Sequence, residues 1–381
     1  MDHVAYQQAL RERVGLRDLP FEAAEYRARQ RRVRQRMGRA GLDLLLVSDP
    51  SDICYLTGYN TFEVSVHTVA VLGAERCVLQ VPSIETGPAV TGSLVDEVLG
   101  YRWEGADTIV EQLAQAALDV AGGSPAGVLG LDLWSPSLRG GVVEGLRQRL
   151  ASWRLTDGSG LVDAERIVKS ESELALLRES ARVTALGLDA AAAVVRPGVT
   201  DSQVAAAGAE AMLAAGSEFM SMQPIVSTGW RSSVIHTSHR RQRVAAGEPV
   251  FMEFGAAWHR YTAPLMRTVV AGEPTPAMEA LFEALQAIHA ALTEAMRPGN
   301  RFHDAAEAAE AAWSALHDEA FFSGVYGYSV GAQFPPSWVE GSGYIARGQD
   351  TEFQQNMVFH LPLCLRRPGE WGLGCSETVR V

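Results

Sequence analysis

Val250–Val270 reads VFMEFGAAWHRYTAPLMRTVV. Apolar and β-branched residues fill both ends. Strands are therefore predicted near 250–256 and 266–270, with a Gly- and Pro-containing connection between them. Glu253 stands in the first strand, within Val-Phe-Met-Glu-Phe-Gly. A glutamate at a buried strand position is rare unless it has a partner or a task. Glu253 is thus the first candidate functional residue. Pro264, near the start of the second strand, has no side-chain donor atom.

The chain around this hairpin organises into two domains, expected at 1–162 and 163–381. In the first, a helix is predicted over 21–41 and strands over 43–48, 67–72, 76–81 and 128–133. Tyr55–Tyr59 is expected as a turn, and a helix over 107–121 precedes the last strand. Alternating strands and helices indicate an α/β domain. In the second domain Ser170 is placed to cap a helix running to about Val195, with Glu173 completing a capping box and Pro197-Gly198 ending it. Further helices are expected over 201–215, 276–296 and 303–320. Strands near 224–228, 325–330, 357–363 and 375–381 join the hairpin in an antiparallel sheet with helices on one face, an α+β arrangement.

Composition bounds the function. The 381 residues suffice for two cores, and 47% hydrophobic with 20% charged residues is ordinary for a globular chain. A net charge of −12 argues against a nucleic-acid partner, and the arginines between Arg27 and Arg39 read as a solvated helix face. Cys54, Cys77, Cys364 and Cys375 show no CxxC spacing and read as free thiols of a reducing compartment. The polar start of the chain and the lack of a long apolar run predict a cytoplasmic protein with no membrane partner.

Several segments together resemble the creatinase/Xaa-Pro-peptidase superfamily. They are YLTGY (55–59), RIVKSESELALLRESARV (166–183), STGWRSSVIH (227–236), the 250–270 hairpin and the closing ETVRV (377–381). The resemblance implies a creatinase-like N-terminal domain and a pita-bread C-terminal domain. It also implies five metal ligands (two Asp, one His, two Glu). Carried over by position, these fall on Glu253, Pro264, Tyr328, Pro362 and Glu377. Two carboxylates cannot supply the several ligands a hard divalent ion needs, so no metal and no other cofactor is expected.

Within the superfamily the chain is similar to the metal-independent ectoine hydrolases, through His259–Ala263, SVGAQFPPSW (329–338), Met357–His360 and Glu370–Leu373. Asn60–His67, with fewer rings than that branch carries, and the region 338–352 depart from it. The resemblance implies a hydrolase acting on C–N bonds other than peptide bonds, opening a cyclic amidine such as ectoine or hydroxyectoine. The alternatives are another amidine or guanidino acid, the reverse ring closure, or a silent binding subunit.

On this reading Glu253 acts as nucleophile or base, His236 as acid/base near neutrality, and Glu377 holds the amidinium. Tyr328 and His360 either fill the vacated metal volume and donate hydrogen bonds to substrate or simply pack. Tyr261 and Arg267 fit the hairpin pattern, Arg267 either binding a substrate carboxylate or clamping a strand. Trp338, in the run from Phe334, either stacks on a planar cation or plugs the pocket, and Trp371 has the same two readings. His239 reads as a supporting or surface residue. The family resemblance further implies a homodimer in which Phe62 and His67 reach a neighbour's site, against their reading as core-strand residues. It brings a deacetylase in as a candidate pathway partner.

Overall fold

The computed structural model of the chain describes residues 2–381, the side chains at 106 and 107 aside. The chain divides into two compact units, Met1–Arg166 and Ile167–Val381.

The first unit is built on six strands: β1 (Leu44–Val47), β2 (Val69–Leu72), β3 (Cys77–Pro82), β4 (Glu97–Tyr101), β5 (Val128–Leu131) and β6 (Arg154–Asp157). Their order is β4-β3-β2-β1-β5-β6. The pairs β1–β5, β5–β6 and β3–β4 are parallel, while β2 runs antiparallel to both neighbours. Strands buried along their length, such as Leu44–Val47, mark a sheet covered on both faces. The expected turn at Tyr55–Tyr59 is instead the end of a helix, Pro50–Thr57. Asp49 caps its start and Gly58 ends it in the left-handed conformation. The helix Ala23–Arg39 is not a wholly solvated basic face. Arg29 is buried between the Phe21 and Tyr55 rings and donates to the Tyr55 carbonyl, and Arg32 and Arg36 both pair with Glu165.

In the second unit Ser170 and Glu173 form the expected capping box of the helix Glu171–Ala193. That helix and Asp201–Ala214 bury their apolar faces against three antiparallel strands in the order β11-β8-β7. These are β7 (Ile225–Thr228), β8 (Pro249–Phe254) and β11 (Leu265–Val270). The short pair β9 (Ala257–Trp258) and β10 (Tyr261–Thr262) closes the hairpin. A second core, under helices Pro276–Ala295 and Phe302–Ala311, supports a four-stranded sheet in the order β13-β12-β14-β17. It comprises β12 (Gly327–Ser329), β13 (Tyr344–Ile345), β14 (Val358–Leu361) and β17 (Glu377–Arg380). A hairpin of β15 (Cys364–Arg367) and β16 (Trp371–Gly374) completes the unit.

Two expectations change here. The antiparallel sheet is split into these smaller sheets. The helix expected over 303–320 ends at Ala311 because Trp313 leaves helical geometry to bury its ring. Its indole N–H donates to Tyr326 Oη. Among the described residues, no helix is long and apolar enough to cross a membrane.

Candidate active site

Glu253 sits on the middle strand β8, directly opposite Ile225 on β7 and Met266 on β11. Both partners belong to an apolar cluster with Phe251, Trp338 and Cys364, against which Tyr328, Ile235 and Val339 pack. The Glu253 residue is 6% exposed. No hydrogen bond or ion pair of its carboxyl is present among the described residues. Burial without a compensating partner pushes its pKa up to about 8. Cys364 shares the box, and burial, with a contribution from the Glu253 charge, pushes its thiol up to about 12. Gly255 makes the box possible. A Cβ there would lie 2.8 Å from Thr262 Cγ2 and 3.0 Å from Trp338 Cε3, so any side chain would displace the indole.

A chain of hydrogen bonds runs beside this cluster. The Trp338 indole N–H donates to Tyr328 Oη at 2.9 Å. His360 Nδ1 lies 2.7 Å from the same oxygen, and His360 Nε2 lies 2.6 Å from Ser376 Oγ. Ser376 Oγ in turn accepts the Met266 backbone N–H at 2.7 Å. Strand register creates the chain, because Tyr328 on β12 pairs with His360 on β14, next to β17. Burial lowers the His360 pKa to about 3, so the ring is neutral at any ordinary pH. Tyr328 is raised well above its usual value, first by burial and then by the Glu253 charge, and stays a phenol.

The structure thus brings Tyr328, His360 and Trp338 together beside Glu253, and gives Glu377, Arg267 and Tyr261 other partners. Glu377 is a correction. It points to the opposite face of β17, where its carboxylate meets Arg267 Nη2 at 2.5 Å and is 40% exposed. Successive strand residues alternate faces, so the inward position belongs to Ser376, one residue earlier. Arg267 is the strand clamp, not a ligand of this cavity. Its Nη1 donates to the Met266 and Ser376 carbonyls, both at 2.7 Å.

Tyr261 is also spent on structure, its hydroxyl donating to Glu173 at 2.8 Å and tying the hairpin to the capped helix. His236 is exposed in a turn with φ 59°, although its neighbour Ile235 packs on the apolar cluster. The neighbouring His239 ring contacts Ser238 Oγ. Within the first unit, His67 is buried against Gln80, which removes its ring from any neighbour's reach, whereas Phe62 is 71% exposed. Ser376 is the residue that sequence reading missed. Lying beside the more conspicuous Glu377, it gave no chemical signal of its own.

The donor set does not fit a divalent cation. Pro264 and Pro362 offer no side-chain ligand, and Tyr328, His360 and Ser376 are bonded to one another. Among the described residues no group of three or more His, Cys, Asp or Glu side chains converges as a metal site.

Known proteins bear on these observations. The metallopeptidase family M24 model matches residues 175–381, and the creatinase/prolidase N-terminal domain model matches residues 29–168. An ectoine hydrolase of Halomonas elongata is 28% identical over 95% of this chain and 94% of that protein. A Xaa-Pro dipeptidase of Pyrococcus horikoshii is 22% identical over 64% of this chain and 68% of its own. Among solved structures, the P. horikoshii prolidase superposes with a TM-score of 0.79 at 20% identity, covering 93% of this chain and 95% of that one. A Xaa-Pro dipeptidase from Bacillus anthracis gives 0.80 at 19% identity, covering 93% and 95%. At that identity the structures speak for the fold alone, which is the creatinase-like domain followed by the pita-bread domain. The chain belongs to metallopeptidase family M24 and carries a creatinase/prolidase N-terminal domain.

Proposed function

We propose that this protein is a metal-independent hydrolase that opens a cyclic amidine of the ectoine type, with Glu253 as nucleophile or base. The observation that carries this reading is the unpartnered Glu253 carboxyl in an apolar box, its pKa pushed up to about 8. Such a group calls for a cation, since a positive charge beside it favours ionisation and offsets its desolvation. An amidinium brings that charge in a flat, partly apolar body that fits beside an indole and a phenol. Its electrophilic carbon then lies within reach of the carboxylate it has ionised. The likeness to the Halomonas ectoine hydrolase over nearly the whole chain supports the same substrate class.

Peptide hydrolysis in this fold would need metal ligands that Pro264 and Pro362 remove. His236, exposed and next to Ile235 of the apolar cluster, is the candidate acid/base for proton exchange with solvent. A cytoplasmic homodimer working beside a deacetylase belongs to the same proposal. A guanidino acid would satisfy Glu253 by the same charge, so the substrate panel includes one.

The test is an NMR assay of chelator-treated protein, with metal content checked by elemental analysis, following conversion of ectoine to N-acetylated diaminobutyrates. Ring opening without metal supports the proposal. Activity that appears only with stoichiometric manganese, cobalt or zinc refutes it.

A further inference from the structure

The Trp338–Tyr328–His360–Ser376–Met266 chain has fixed ends. The Trp338 indole and the Met266 amide can only donate, so Tyr328 Oη and Ser376 Oγ each accept one bond from outside. Between them lie three mobile hydrogens, on the Tyr328 hydroxyl, the Ser376 hydroxyl and the neutral His360 ring. Only two links use them, Tyr328–His360 and His360–Ser376. One hydroxyl hydrogen is therefore left over, and no protein acceptor for it is present among the described residues.

Burial decides where it sits. Ser376 is fully buried, at 0% exposure, and an unspent hydrogen there would be a buried unsatisfied donor. Tyr328 is only partly buried and feels the Glu253 charge. The economical arrangement has Ser376 donating to His360 Nε2 and His360 Nδ1–H donating to Tyr328. The Tyr328 O–H is then free for a ligand.

We propose that Tyr328 is the proton donor of the Glu253 site, with His360 and Ser376 as positioning residues that hold its hydroxyl hydrogen available to the substrate. This rests on the amidine-opening reading above and names the group that protonates the leaving nitrogen. When the nucleophile adds to the amidine carbon, a C–O bond forms and the C=N π pair moves to nitrogen. The Tyr328 proton then passes to the leaving nitrogen as the C–N bond breaks, and the σ pair stays on that nitrogen. The phenolate oxygen is held by two N–H donors, Trp338 Nε1 and His360 Nδ1. Water adds to the carbon and returns a proton to the phenolate. As the carbonyl forms, the C–O bond to Glu253 breaks and its electron pair returns to the carboxylate, while the hydroxyl proton of the adduct passes to the released amine, which departs as ammonium. One water is consumed and the enzyme is restored. Burial first, and then the Glu253 charge, keep Tyr328 protonated in the resting site; the second of these is lifted once that carboxylate is spent in a bond.

Two measurements test the assignment. The first compares wild type, Tyr328→Phe and His236→Ala on ectoine and on N-(4-nitrophenyl)acetamidine, whose leaving nitrogen spreads its developing charge into the nitroaryl ring and needs less proton assistance. Tyr328→Phe is expected to lose about 100-fold in kcat on ectoine with KM little changed, and less than about tenfold on the nitrophenyl substrate. An equal loss on both substrates, near-wild-type kcat on ectoine, or the same leaving-group dependence in His236→Ala in place of Tyr328→Phe overturns it.

The second is 15N NMR of histidine-labelled wild-type protein, with His360 assigned by difference from His360→Gln. A neutral Nδ1–H ring between pH 6 and 8 supports the relay. An Nε2–H ring, or an imidazolium, overturns it whether or not ectoine is turned over. Failure of wild type to open any amidine refutes the function proposed above, and the NMR result still decides the hydrogen arrangement.

Discussion

Met266 and Arg267 are neighbours on one strand, and Ser376 and Glu377 on another, yet the two pairs live in opposite surroundings. Inward, Met266 and Ser376 help enclose an unpartnered carboxyl and a neutral histidine. Outward, Arg267 and Glu377 form a half-exposed ion pair. The difference shows what makes a charged group chemically useful. Glu253 and Glu377 are the same residue type, but Glu253 is deprived of both water and partner, and its proton affinity is displaced toward neutrality. Glu377 already has what a carboxylate needs.

The strongest way to break this contrast is to substitute the two glutamates separately. Glu253→Gln is expected to lower amidine turnover by about 1000-fold or more with unchanged far-UV circular dichroism. Near-wild-type turnover would remove Glu253 from the chemistry.

The same variant sharpens the contrast through stability. The unfolded chain releases the Glu253 proton near the ordinary value of 4.5, and the folded protein holds it to about 8. The folded state therefore binds more protons between those values. The stabilisation from that protonation is complete below about 4.5 and is lost as pH rises through 8. Urea titrations should show Glu253→Gln gaining on wild type across this window, by an amount on the order of a few kcal/mol. A pH-independent difference would mean that the carboxyl is solvated.

His360→Leu should cost about 2–3 kcal/mol, because it leaves the Tyr328 and Ser376 hydroxyls without their shared partner. The wild-type contribution works in the other direction with pH. The His360 pKa is depressed to about 3, so its stability is present above the unfolded value near 6.5 and is lost as pH falls toward 3. Wild type should therefore lose more than the Leu variant on acidification, as read from melting temperatures between pH 7 and pH 4.

The smallest effect belongs to the outward face. Glu377→Gln should change stability by less than about 1 kcal/mol, since exposed pairs contribute little, and leave turnover within about threefold. A large loss of turnover would put Glu377 back in the site.

Much of this was legible from residues alone. The hairpin, the capping box at Ser170 and Glu173, and the helices beneath the strands follow from local patterns that local physics enforces. Glu253 was legible because a carboxylate inside an apolar strand stands out. Tyr328 and His360 were read at or beside expected ligand positions and Trp338 from its aromatic run, all without the bonds that join them. Ser376 was passed over for the charged residue next to it. Arg29 was read as solvated because charge gives no hint of the two rings that enclose it. His67 looked able to reach a neighbour because nothing local shows its ring turned toward Gln80.

The sequence by itself determined the family and the buried carboxylate, and that Pro264 and Pro362 bring no side-chain donor. These depend on which residue occupies a position. Only the tertiary structure decided which of Ser376 and Glu377 meets His360, and which hydroxyls share that ring. Those depend on long-range register, Leu361 opposite Glu377 and Tyr328 opposite His360. A one-residue shift in such pairing sends every side chain of a strand to the other face.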